Sequence, residues 1–349
     1  MLNKNNRLWF FVFLIFIVHF LVTSCRFFHQ KQEKNRTLFF FLRIFTVGDY
    51  WARIYEFDPQ IIFNPKNISY LQEATPENVD PQKPKLILVP GWDFRDRSSV
   101  KLPSIDELKQ RVLTRNWEHL VSENEFIWLL QNYEVFTFDY LTSDPIDVNG
   151  KRLRDLLDRL FLNFQNQVII YAHSMGGLIS RFALYEGEKP NYIKAIITNG
   201  TPFHGSPWAS PEFQKDKTLL GYIASFLTDT DGGRDLAWDN FDGSIPNAYN
   251  WKLFFINQRT DRDDLIFTLY GEIPNGTNFE SDSKKTFQTI CPLLNDFGPH
   301  DCIVPTKSAL LNPFTTKGFR HLGNYDHLDI NWHTPQIRRK LIDIIQEFQ

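Results

Sequence analysis

Residues 168–177 read Val168-Ile169-Ile170-Tyr171-Ala172-His173-Ser174-Met175-Gly176-Gly177, and the reading of the fold starts from them. Val168 to Tyr171 is a continuous apolar run, the pattern of a strand buried on both faces of a parallel sheet. Leu178 to Tyr185 then reads as a helix. Between the two stands Ala172-His173-Ser174-Met175-Gly176-Gly177, with small residues on either side of the serine where bulky side chains would meet neighbouring backbone. Strand, sharp turn and helix follow in the order that lifts a serine hydroxyl clear of a sheet. The helix that follows directs its free amides and positive dipole end towards that hydroxyl.

Working outward, Leu86 to Val89 is a second buried strand, stopped by Pro90-Gly91. Glu134 to Tyr140, Ile193 to Thr198 and Leu265 to Tyr270 read as further strands. Ser104-Ile105-Asp106-Glu107 and Ser122-Glu123-Asn124-Glu125 both match the capping box, so each is expected to open a helix. Leu153, Leu156, Leu157, Leu160, Phe161 and Phe164 recur at helical spacing and make one apolar stripe. A last helix opens at Thr334-Pro335, an N-cap followed by proline at the first helical position. Strands alternating with helices predict an α/β fold with a mostly parallel central sheet flanked by helices.

The chain has 349 residues, enough to bury one large core. Its net charge of -3 gives no electrostatic case for a nucleic-acid partner. The 33 phenylalanines are expected mostly in the core, with some left for an apolar binding surface. Lys4 and Arg7 precede an apolar run from Leu8 to Val22 that ends in Thr23-Ser24-Cys25, the layout of an export signal and short for a membrane span. Val22-Thr23-Ser24-Cys25 resembles the lipobox of bacterial lipoproteins, which implies lipidation of Cys25; the alternative is an uncleaved signal anchor. Either reading places the rest of the chain outside the cytosol, anchored to a membrane or secreted. Residues 1–25 are thus the signal, 26–84 an N-terminal extension and 85–349 the main domain. Within the extension, Leu38 to Val47 is apolar but interrupted by Arg43, and Asn64 to Lys85 carries four prolines and reads as an irregular connection. Cys291 and Cys302 are either a disulfide pair in an oxidising compartment or two separate buried thiols.

The Ala172-His173-Ser174-Met175-Gly176-Gly177 string resembles the nucleophile elbow of bacterial lipases of the α/β-hydrolase superfamily, including those in which Ala replaces the first Gly. In that fold the triad partners follow in the order Ser, Asp or Glu, His. Gly298-Pro299-His300-Asp301-Cys302-Ile303-Val304-Pro305 resembles the acid loop of lipases and of lecithin:cholesterol acyltransferase-like enzymes, and Asn324-Tyr325-Asp326-His327-Leu328-Asp329 resembles their histidine loop. The resemblance implies Ser174 as nucleophile, Asp301 as the acid with Asp296 as fallback, and His327 as the base. His300, His321 and His333 are close enough in sequence to compete for the base role. Cys302 stands where the pattern usually has Gly, a departure that bears on the loop's conformation. The backbone amides of Met175 and of Trp92, in Val89-Pro90-Gly91-Trp92, are the implied oxyanion donors.

Asn199-Gly200-Thr201-Pro202-Phe203-His204-Gly205-Ser206 resembles the lipase segment that leads into a cap. Residues 207–250, rich in Gly, Pro, Trp and Phe, read as a cap or lid lining an acyl pocket, or as an irregular insertion packed on the body. The implied activity is hydrolysis of carboxylic esters, lipid-like ones favoured, through an acyl-enzyme and without cofactor or metal. The rival readings are an acyltransferase or thioesterase with the same triad, and a non-catalytic surface lipoprotein on a hydrolase scaffold.

Overall fold

The computed structural model describes residues 52–93, 96, 104–214, 230–273 and 291–349. Eight strands form one sheet: β1 (Ala52–Phe57), β2 (Leu71–Glu73), β3 (Lys85–Val89), β4 (Glu134–Tyr140), β5 (Val168–His173), β6 (Ile193–Asn199), β7 (Ile266–Tyr270) and β8 (Gly318–His321). Their order is β2-β1-β4-β3-β5-β6-β7-β8. Strand β1 runs antiparallel to both β2 and β4, and every other neighbouring pair is parallel. The fold is the α/β-hydrolase fold.

Side chains alternate across the strands, so each sheet face has its own core. Ile87, Val89, Ile170 and Ala172 face one side, and Leu86, Leu88, Ile169 and Tyr171 face the other. Six main helices cover the faces: α1 (Ile105–Arg111), α2 (Asn124–Asn132), α3 (Ile146–Phe161), α4 (Met175–Tyr185), α5 (Trp251–Asn257) and α6 (Pro335–Gln346). The stripe of α3, Leu153, Leu157, Leu160 and Phe161, packs with Leu178 and Ile179 of α4 on the first face. Leu129 of α2 and Ile337, Leu341 and Ile345 of α6 pack on the second. Truncating one such buried leucine to alanine costs about 2–5 kcal/mol.

Two expectations are corrected. The boundary between residues 84 and 85 falls inside the sheet's domain, because β1 and β2 are its antiparallel end. Strand β1 is amphipathic and short, and its membership depends on pairing with β4, from Ala52 with Tyr140 to Glu56 with Phe136. The second capping box does not form: the N-cap of α2 is Glu123, without a side-chain cap. Its acidic residues serve tertiary contacts instead, Glu123 and Glu125 lying 2.9 and 3.4 Å from the Arg338 guanidinium of α6. The first box is complete, with Ser104 and Glu107 bonded reciprocally. Strand β8, with no apolar run to mark it, completes the sheet beyond the strands read from sequence.

Cys25, the apolar run Leu8–Val22 and the stretch Leu38–Val47 lie outside the described residues. Among the described residues no helix is long and apolar enough to cross a membrane. Of the segment 207–250, the described parts contain only short helical turns at Pro207–Ala209, Pro211–Gln214 and Asp231–Arg234. There Trp208, Trp238, Ile245 and Ala248 pack with Leu294 and Phe297 in a satellite core.

Candidate active site

The chain reaches β4 on one side of β3 and then passes over to β5 on the other, so the strand order reverses between β3 and β5. In open α/β sheets the crevice beyond the carboxyl ends of such strands is where ligands bind. Two loops meet at that point: the turn after β5 carrying Ser174 and the Pro90–Asp93 segment after β3.

Ser174 has φ 53° and ψ -126°, a conformation that costs a non-glycine residue about 1–3 kcal/mol and persists only where its surroundings hold it. Its amide donates to the Asn199 carbonyl at the end of β6 (2.8 Å), and its carbonyl accepts from Gly177 N–H (3.0 Å). Gly176 is required by close approach: a Cβ there would lie 2.5 Å from the Pro90 carbonyl oxygen and 2.6 Å from that of Val89. Both obstacles are backbone, so neither can yield.

The Ser174 hydroxyl lies 2.9 Å from His327 Nε2, and His327 Nδ1 lies 2.7 Å from Asp301 Oδ2. With the imidazole as the Nδ1–H tautomer, the hydroxyl donates to Nε2 and Nδ1–H donates to the carboxylate. That arrangement can take the serine proton and steady the imidazolium that results. The competing residues make other contacts, although His333 lines the same cavity as Ser174. Asp296 is exposed. His300 is buried and bonded to Asn295, His321 stacks on Tyr270, and His333 packs against His119 with ring centroids 4.0 Å apart.

Asp301 is bonded through both carboxylate oxygens and its carbonyl. Asp301 Oδ1 accepts from the amides of Ile303 (3.0 Å) and Val304 (2.7 Å), and the Asp301 carbonyl accepts from His327 N–H (2.9 Å). Cys302 has φ 75°, the left-handed region that favours glycine. Its fully buried side chain is bonded to Cys291 in a disulfide with Cα atoms 4.4 Å apart. Trp208 Nε1–H donates to its carbonyl (3.1 Å). The residue that departs from the glycine of the lipase pattern thus keeps the glycine-like backbone, held by a crosslink and a tryptophan.

Sequence reasoning passed over several supports. His173 is buried and donates through Nε2 to the His327 carbonyl (3.0 Å), and burial with His327 beside it pushes its pKa well below the ordinary value, so the ring is neutral. Asn199 donates to the Ile330 carbonyl (2.6 Å), and Asp326 caps the amides of Leu328 and Asp329, shaping the histidine loop. Tyr140 O–H donates to the Pro90 carbonyl (2.7 Å), and Thr142 Oγ1 accepts from Asp93 N–H (3.1 Å). These two bonds bracket Trp92. Behind them Arg111 joins Asp96 (3.0 Å) and Asp139 (2.6 Å), and burial raises the Asp139 carboxyl to about 6. His173 stands inside the quoted elbow and was there to be found; Thr142 carries no local signal.

A cavity of about 810 Å³ opens over Ser174 and His327. Its walls include Trp92, Trp117, Leu236, Val304 and Leu328, with His119 and Arg115 among its polar residues. Met175, fully buried, is the first residue of α4.

Residues 153–220 match the family described as "PGAP1-like alpha/beta domain". Comparison with the curated proteins finds no match. Among solved structures, a lipase of Bacillus licheniformis in its mature form is similar with 21% identity and a TM-score of 0.49, over 77% of this chain and 96% of that one. Lipase 1 from Pelosinus fermentans is similar with 13% identity and a TM-score of 0.43, over 76% of this chain and 98% of that one. An esterase from Rhodococcus sp. ECU1013 is similar with 10% identity and a TM-score of 0.41, over 77% and 91%. By its own sheet order and strand–turn–helix at Ser174, the chain is an α/β-hydrolase in fold, similar over residues 153–220 to the PGAP1-like domain.

Proposed function

We propose that the chain is a serine hydrolase of carboxylic esters. Ser174 attacks the acyl carbonyl while His327 takes its proton. His327 then returns that proton to the leaving alcohol, and Asp301 keeps Nδ1 protonated throughout. The amides of Trp92 and Met175 receive the oxyanion, and water cleaves the resulting acyl-enzyme. The observation that carries the reading is the pair of contacts at 2.9 and 2.7 Å that joins hydroxyl, imidazole and carboxylate. The cavity's apolar lining, Leu236, Ile303, Val304 and Leu328, favours an acyl chain of some length. Ala209 and Leu236, from the described parts of the segment 207–250, line the cavity, which supports reading that segment as a cap, and the N-terminal signal ending at Cys25 anchors the enzyme to a membrane outside the cytosol.

The test is labelling with a fluorophosphonate probe followed by peptide mapping, alongside hydrolysis of p-nitrophenyl esters of increasing chain length. Label is expected on Ser174, and Ser174→Ala is expected to lose about 10⁴-fold or more in kcat. Unchanged hydrolysis by Ser174→Ala removes the assignment.

A further inference from the structure

Helix α5 is apolar on both of its faces. Leu253 and Ile256 are buried in the core. Trp251, Phe254 and Phe255, three and four residues apart, share the outer face at 58%, 38% and 63% exposure, and Tyr249 just before the helix is 67% exposed. The four rings form one connected cluster centred on Trp251. Tyr249 and Trp251 stack with centroids 5.3 Å apart, and Trp251 lies 5.8 Å from Phe254 and 5.9 Å from Phe255. Single exposed aromatics such as Phe63 and Phe314 are ordinary, whereas a contiguous exposed cluster marks an interaction surface.

Its position narrows the partner. Asn250, the N-cap of α5, donates to the carbonyls of Asp235 (2.8 Å) and Ala237 (2.9 Å), on either side of Leu236 in the cavity wall. Lys252 bonds Asp147 in the first turn of α3, which follows the carboxyl end of β4. The patch therefore lies on the edge of the sheet that carries Ser174. Ala52 pairs with Tyr140, the last residue of β4, so the chain enters the domain at that same edge. Upstream of it come the apolar stretches Leu8–Val22 and Leu38–Val47. Lys252, the one cation of α5, is already paired with Asp147 and Asp235, each 2.6 Å away, so the helix offers no free positive charge to a polyanionic partner. Tryptophan and tyrosine settle at the headgroup level of bilayers, where an apolar ring meets a wet boundary.

We propose that Tyr249, Trp251, Phe254 and Phe255 form a bilayer-docking surface that seats the active-site edge of the enzyme on zwitterionic lipid. The proposal rests on the reading of the chain as a membrane-anchored ester hydrolase, and it adds which surface meets the membrane. Docking is driven by aromatic burial, so it does not require anionic lipid.

The test uses the full chain carrying Cys25→Ser and Phe255→Cys, labelled with an environment-sensitive nitrobenzoxadiazole, and phosphatidylcholine vesicles. A matched protein labels Phe314→Cys, before β8 and at the opposite edge of the sheet. The label at 255 is expected to shift to the blue and brighten at least about twofold on vesicle addition, while that at 314 stays unchanged. No change at 255 when the protein floats with the vesicles overturns the proposal. A shift without vesicles that grows with protein concentration assigns the patch to a second copy, and one independent of concentration assigns it to the chain's own N-terminal segment; either overturns it too. The double variant Trp251→Ser/Phe255→Ser is expected to lose at least about fivefold in hydrolysis of a long-chain ester carried in vesicles, with p-nitrophenyl acetate hydrolysis unchanged. Equal activity of variant and parent on both substrates overturns docking. Because the fluorescence reads contact without turnover, failure of the parent on every ester would sink the hydrolase reading alone.

Discussion

At Asp301 one carboxylate has two duties separated by its two oxygens. Oδ1 is saturated by the amides of Ile303 and Val304, which leaves Oδ2 for His327 Nδ1. Asp301→Asn keeps the shape of the loop but offers His327 an amide in place of a carboxylate, so the imidazole loses the acceptor that holds its tautomer. The expected result is a fall of about 10⁴-fold in kcat on p-nitrophenyl esters with little change in folding. A fall of less than about tenfold would remove Asp301 from the proposed machinery. Beside it, Cys302 at φ 75° sets a sharper question, because its backbone is what a glycine adopts freely. With the disulfide removed through Cys291→Ser, Cys302→Gly is expected to retain more activity than Cys302→Ala. The alanine variant must relax the loop, and a 1 Å displacement of a catalytic group costs on the order of 10²-fold. Equal kcat values for the two double variants would show that the backbone at 302 does not govern Asp301.

At the scale of elements, two loops have to be brought to one point, and the supports differ. The elbow is built by its own strand and helix, and the requirement that Gly176 lack a side chain is written in the residues that flank the serine. That is why the site was legible there: a tight turn restricts residue types locally. The loop after β3 is instead braced from β4 and its continuation, through Tyr140 to Pro90 and Thr142 to Asp93, contacts 50 and 49 residues apart in sequence. Thr142→Val keeps the volume and removes the hydroxyl. It is expected to lower kcat by about tenfold or more, part of the 10²–10³-fold that loss of an oxyanion donor costs, with thermal stability lowered only slightly. An unchanged kcat would mean that Trp92 does not depend on this brace. The second capping box failed for a related reason: Glu123 and Glu125 match a local motif, yet Arg338 of α6 takes both.

For the whole molecule, the sheet includes residues that composition assigned to an extension, and burial of charge along it sets a pH response. Glu134, at the first position of β4, is buried, and desolvation raises its carboxyl from 4.5 to about 7 although Asp80 N–H and Lys85 oppose the shift. A carboxyl raised in the folded state favours folding when protonated. Its contribution is fully present below pH 4.5 and is lost as pH rises through about 7. Melting temperatures measured from pH 4.5 to 7.5 are expected to fall more for the parent than for Glu134→Gln, which has no proton to lose. Parallel curves would show that Glu134 carries no such linkage.

The sequence by itself determined the strand–turn–helix at Ser174, the alternation that makes the fold α/β, and the short set of acids and histidines from which a triad can be drawn. Each of these is local, because turn geometry and side-chain period act within a few residues. Only the tertiary structure decided that His327, 153 positions from Ser174, and Asp301, 26 positions from His327, are the ones that meet. It also decided that β1 and β2 form one end of the sheet, that Cys302 bonds Cys291, and that Trp251, Phe254 and Phe255 of α5 stand exposed. Such contacts depend on which surfaces pack together when the whole chain excludes water, and no window of neighbouring residues records that.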